Sequence, residues 1–166
     1  MFDDNAPIWR FKSDLAAIED PEAARTAAVG TYLIEVFPAL ALPSLAPAHC
    51  GRLLGAKYNP GRRSTFRMEH WRSVVDGVAA FGLAHGVLGL SGWAQSHRAI
   101  GLPRKSDQDL LDAVLCALVG YMWLFADRSQ LLLIGDLQSG YMVTPAIGVA
   151  RERLITAASA KGIAAT

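Results

Sequence analysis

Residues 113–126 read A-V-L-C-A-L-V-G-Y-M-W-L-F-A without a formal charge, and S-D-Q-D-L-L-D just ahead of them sets three aspartates at the mouth of the run. A run of this length falls short of the ~18 apolar residues that a membrane span takes, and reads instead as a helix buried in a core. Any fold for this chain must therefore surround that helix. Ser106 suits an N-cap, Asp109 three residues later completes an S-x-x-D box, and acids in a first turn suit the positive end of the helix dipole. Asp107 and Asp109 thus have structural reasons to be there. Asp112 lies about two turns in, on the face it shares with Asp109 by the i, i+3 rule, where neither cap nor dipole accounts for it. A carboxylate on such a helix is costly unless a cation, a metal or hydrogen bonds compensate it. Two readings stay open: a ligand-binding group, or a core carboxylate whose hydrogen bonds from arginine or backbone donors fix helix packing.

A chain of 166 residues is long enough for one domain with a real core, and residues 1–166 are expected to form one. The net charge of +1 supplies no global field for a polyanion, so such binding has to come from a local patch. Cys50 and Cys116 form no C-x-x-C pair, which argues against a disulfide framework or a zinc ribbon. The start M-F-D-D-N puts acids where a signal peptide carries cations. These features lead us to expect a cytoplasmic protein with no membrane association.

Residues 9–30 read as an interrupted helix, with Pro21 after Glu19 and Asp20 as a start signal, Gly30 as a stop, and Ile8, Phe11, Leu15 and Ile18 as packing residues. Residues 31–37, T-Y-L-I-E-V-F, are β-branched and aromatic, apolar on both alternating faces and closed by Pro38, which predicts a central strand. Glu35 is its only charge, near the strand end where pockets open in α/β proteins, with pairing to an arginine such as Arg52 as the plainer alternative. Residues 38–54 form a proline-broken helical region. Residues 57–67, K-Y-N-P-G-R-R-S-T-F-R, hold the one basic patch: Lys57, Arg62, Arg63 and Arg67 interleaved with Tyr58 and Phe66 around an Asn-Pro-Gly turn. These four cations are candidate nucleic-acid contacts through phosphate, against the plainer reading of a solvated loop.

Residues 66–83 carry Trp71, Val74, Val75 and Val78 at helical spacing, and the glycines 82, 86, 89 and 92 that follow mark a flexible connection or close packing, without forming a phosphate-binding motif. Residues 131–134 and 141–143 predict a hairpin, and 146–161 a last helix. Neither cysteine has a histidine partner beyond the adjacent His49, and no G-x-S-x-G elbow is present, which disfavours hydrolysis through a covalent nucleophile. If the start of the aspartate helix meets the strand end, Glu35, Asp109 and Asp112 converge, an arrangement stabilised chiefly by divalent cations. Oxygen ligands favour Mg²⁺ or Mn²⁺, and two such ions about 4 Å apart hydrolyse phosphodiesters.

I-E-V-F-P-A at residues 34–39, the following Y-N-P-G-R-R, D-L-L-D-A-V-L-C-A-L at 109–118 and G-D-L-Q-S-G-Y-M-V-T-P at 135–145 resemble the C-terminal half of domain-of-unknown-function family 429, nucleases of the ribonuclease-H-like class. The D-x-x-D-A motif is also similar to the last acidic motif of Holliday-junction resolvases. The resemblance spans residues 31–145, about two thirds of the chain, with 146–166 as a final helix and tail. It implies an α/β fold, a partial ribonuclease-H-like domain with a few-stranded sheet and several packed helices. It also implies a metal-dependent nuclease, or an incomplete relative of one, with Glu35, Asp109 and Asp112 as catalytic metal ligands for Mg or Mn and nucleic acid as partner. The resembled fold begins with a strand carrying an aspartate and a second acidic motif, whereas residues before Thr31 read as helix, and only coincidence would let Asp3 or Asp4 substitute. The alternative is a non-catalytic interaction module that completes its sheet by homo-oligomerisation, motivated by exposed strand edges.

Overall fold

A computed structural model describes residues 7–53 and 55–166, so Asp3, Asp4 and the Leu54 end of the proline-broken segment lie outside the described residues. Among these the chain is mixed α/β, with eight α-helices, a short 3-10 turn and a two-stranded antiparallel sheet. The uncharged run forms most of α7 (Lys105–Phe125), on which the fold is centred. Its buried side chains Leu111, Leu115, Leu118, Val119, Met122 and Trp123 recur at three- and four-residue intervals, one stripe of a 3.6-residue period. The helix is 21 residues long, more than the uncharged run alone suggested, and by length and composition would suffice to cross a membrane. Here the stripe is spent on protein: α7 packs against α2 (Pro21–Thr26), α3 (Pro38–Leu45) and the sheet.

Helix α5 (Met68–His85) realises the second amphipathic pattern, with Trp71, Val74, Val75 and Val78 all buried. The glycine-rich stretch after it is a tight turn, not a flexible connection. Gly86 and Gly89 adopt left-handed backbone at φ 65° and 80°, and α6 (Leu90–Arg98) folds back so that a Cβ at Gly82 would lie 2.9 Å from Leu90 Cβ. On the other flank Gly77 admits α4 (Pro47–Cys50), since a Cβ there would meet Ala46 Cβ at 2.5 Å.

The expected hairpin is present as β1 (Leu131–Asp136) and β2 (Gly140–Pro145), in register from Leu131 opposite Pro145 to Asp136 opposite Gly140. Gly135 sits at φ 95° where a Cβ would lie 2.2 Å from the Gly140 carbonyl oxygen, and Asp136 closes the turn by accepting from the amides of Gln138 and Ser139, both at 2.8 Å. Residues 31–37 differ from expectation. They run extended but form no strand: Tyr32 bridges to Ile18 and Val36 bridges in parallel to Val143, while Glu35 and Phe37 are exposed. β-branched composition favours extended backbone, but a strand needs a continuous partner, and this segment crosses from one neighbour to another before Pro38 opens α3. The sheet edges are occupied as well. Glu35 carbonyl accepts from Val143 N at 2.8 Å on one side, and residues 164–166 pair with Leu133 and Gly135 on the other.

At the N-terminal side Pro21 does begin α2, capped by Asp20, whose carboxylate accepts from Ala23 N at 2.9 Å. Helix α1 (Pro7–Asp14) buries none of its residues, and Phe11, Leu15 and Ile18, expected to pack, are exposed. The last helix is α8 (Val149–Ser159).

Candidate functional site

The start of α7 differs in one informative way from its sequence signature. The helix begins at Lys105, and Asp107 rather than Asp109 reaches back to accept from the backbone N of Arg104 at 2.7 Å, the N3 half of a capping box. Ser106 is then inside the first turn and not the cap. With the cap supplied by Asp107, Asp109 is exposed and forms an i, i+4 ion pair with Lys105.

Asp112 finds its compensation in hydrogen bonds. Tyr58 OH donates to Oδ1 at 2.7 Å and Gln108 Nε2 donates to Oδ2 at 2.6 Å. Both donors are nearly closed to water, Tyr58 at 4% and Gln108 at 6% exposure, so each needs the partner it has. The donors are a phenol and an amide rather than the arginine or backbone groups the sequence suggested. Gln108 lies one turn before Asp112 on the same face, a pairing the i, i+4 rule makes legible in retrospect. Its Oε1 is buried with no hydrogen-bond partner.

This trio floors a cleft of about 410 Å³ between the start of α3, residues 55–65 and α7. Lys57 and Arg62 line it, with Asn59, Thr65 and, at one wall, Phe37. Asn59 shapes the loop by accepting from Gly61 N at 2.9 Å, the Asx turn that Asn-Pro-Gly encodes. Two of the four candidate cations thus line the same cleft as Asp112. Arg63 lines a separate groove with Arg104 and Lys105 on the far side of the loop. Arg67 is the N-cap residue of α5, its guanidinium donating to the Phe66 carbonyl at 2.8 Å, and borders neither hollow.

Glu35, Asp109 and Asp112 sit in separate surroundings. Asp112 accepts from Tyr58 and Gln108, Asp109 is paired with Lys105, and Glu35 is exposed on the extended segment beside β2. Among the described residues no group of three or more His, Cys, Asp or Glu side chains is placed to hold a metal ion. The orphaned Gln108 Oε1 beside Asp112 would suit a cation, but one carboxylate already bonded at both oxygens and one amide oxygen fall short of the acid cluster that a two-metal centre needs. The described donor set does not fit such a centre.

Two thiols and two phenols of the fold are held protonated. Burial pushes the Cys50 thiol up to about 12, and Cys116 is raised first by burial and then by Asp112. Tyr58 is raised by burial and by its bond to Asp112, and Tyr141 is pushed up to about 12, chiefly by burial. Fully buried Cys50 is therefore no nucleophile at neutral pH. In an unfolded chain thiols ionise near 8.5 and phenols near 10, so the folded state binds more protons above those values. Stability is then fully present below about pH 8 and is lost as pH rises through the folded-state values. Urea melts at pH 7 and pH 10.5 should differ by about 2 kcal/mol or more, with part of the loss removed in Cys50→Ala. An identical midpoint at both pH values would contradict this account of the buried groups.

Comparison with protein-family models, with curated proteins and with solved structures yields no match to this chain.

Proposed function

We propose that this chain binds phosphodiester-bearing ligands in the cleft over Asp112, as an incomplete relative of the ribonuclease-H-like nucleases. The observation that carries the reading is the meeting of Lys57 and Arg62 with the Tyr58–Asp112–Gln108 trio in one cleft. Two cations lining one cleft attract phosphate oxygens by charge and hydrogen bonds, independent of sequence. Asp112 keeps acceptor capacity after its two bonds, enough to take a water or a ligand hydroxyl. It lies within a helix rather than on a mobile loop, which positions it firmly. The resemblance of D-L-L-D-A and Y-N-P-G-R-R to the nuclease family involves these same residues. The rival reading, a module that completes its sheet with a second copy, is less favoured because residues 35–36 and 164–166 already occupy the hairpin's edges.

Binding of a labelled ten-nucleotide oligonucleotide, followed by fluorescence anisotropy at several salt concentrations, tests the proposal. Affinity should fall with salt, and a Lys57→Ala/Arg62→Ala double variant should bind at least about tenfold more weakly. Equal binding by the double variant would sink the reading. The same mixtures with Mn²⁺ test hydrolysis: a cleavage product that disappears in Asp112→Asn would extend the proposal from binding to catalysis, and no product would confine it to binding.

A further inference from the structure

Three hollows surround the loop of residues 55–66. The Asp112 cleft of about 410 Å³ adjoins an apolar hollow of about 300 Å³ between α3 and α8, and the two share Phe37, Ala39 and Gly55. Phe37 lines both, and as the N-cap residue of α3 it is 55% exposed. On the opposite flank of the same loop lies a groove of about 620 Å³ lined by Phe66, Arg63, Arg104 and Lys105. Arg62 and Arg63 are adjacent in the chain but line different hollows, and the first turns of α7 border the two cation-bearing ones through Gln108 and Lys105.

We infer that the ligand is single-stranded nucleic acid, with a base stacked on Phe37 and its backbone led across Lys57 and Arg62 toward Arg63 and Arg104. The inference rests on the phosphodiester reading above and adds to it the substrate class. An exposed phenylalanine that lines both an apolar hollow and a cleft holding two cations matches the two halves of a nucleotide, a flat apolar base and a charged phosphate. Stacking of this kind accepts any base, while tracking of the backbone by cations supplies the rest of the affinity. A duplex keeps its bases stacked on one another and offers no face to Phe37, so the arrangement selects unpaired strands. Free phosphate would use the cations but leave Phe37 and the apolar hollow without a role.

Anisotropy with three labelled ten-unit probes separates these possibilities: oligo-dT, an abasic strand of the same length, and a duplex. Wild type should prefer oligo-dT to both others. Phe37→Ala should weaken oligo-dT binding on the order of tenfold, as loss of one stacked base does, while leaving the abasic strand unaffected, and Phe37→Tyr should restore it. Arg63→Ala/Arg104→Ala should flatten the salt dependence by about 1.4, two phosphates at about 0.7 each on a single strand. The probe comparison in wild type needs no variant, and so stands even where a substitution perturbs folding. Equal affinity for oligo-dT and the abasic strand, or for the duplex, would overturn the stacked single strand while leaving phosphodiester binding intact. No binding to any probe would overturn both.

Discussion

Trp123→Ala should cost this protein about 3–5 kcal/mol of folding stability, the range for removing a buried tryptophan. Trp123 is wholly buried in the last turn of α7, where its indole Nε1 donates to the Pro21 carbonyl at 2.6 Å. The guanidinium groups of Arg25 and Arg128 stand 5.5 and 5.2 Å from its ring centre, and Arg25 also hydrogen-bonds the Trp123 and Ala126 carbonyls. One side chain therefore joins the core, the start of α2 and the end of α7, where the last carbonyls of a helix lack internal partners. A domain of this size has about 5–15 kcal/mol in total, so the variant should be marginally folded at best. Urea denaturation provides the measurement, and Trp123→Phe should fall between, since it keeps most of the packing but not the bond to Pro21. A loss below about 1 kcal/mol in Trp123→Ala would mean that α2 is not held on α7 in this way.

Asp112→Ala should cost about 2–4 kcal/mol, because it strands two buried donors at once, each worth about 1–3 kcal/mol when left without an acceptor. Among the described residues, Tyr58 OH and Gln108 Nε2 donate to Asp112 alone. Asp112→Asn should be milder, since the amide oxygen still accepts one of the two bonds while its NH₂ confronts the other donor. A double-mutant cycle of Asp112→Asn with Tyr58→Phe should give a coupling of about 1 kcal/mol or more, as expected for a directly bonded pair. Additive effects would show that the Tyr58–Asp112 bond contributes nothing to the fold. Because half the acid's acceptor capacity is committed to these bonds, the same residue serves structure and cleft, and Tyr58→Phe should loosen the cleft floor without removing its charge.

The elements readable from residues alone are those whose pattern and partner lie close together in the chain. Helices α5 and α7 follow from apolar stripes, the hairpin from Asp136 and the glycines at 135 and 140, and α2 from Asp20 before Pro21. The oddness of Asp112 was equally legible, as a charge without a local reason. Its solution was half local, through Gln108 one turn away, and half distant, through Tyr58 fifty-four positions earlier.

What the tertiary structure decided is which of the candidate charges share a space. Sequence singled out Glu35, Asp109 and Asp112 together, yet Lys105 takes Asp109 at the surface, Glu35 is exposed on the extended segment beside β2, and of the three only Asp112 lines the cleft of the basic loop. Residues 31–37 show why such groupings escape a linear reading. Their composition determines an extended backbone, but whether that backbone becomes a strand depends on neighbours more than a hundred residues away, and here it meets β2 at a single bridge. Backbone preference is a property of each residue and its near neighbours, whereas a site is a property of surfaces brought together by burying the α7 stripe. Local pattern marked the helix and the acid that needed a partner; packing supplied Tyr58 as that partner and brought Lys57, Arg62 and Phe37 to the same cleft.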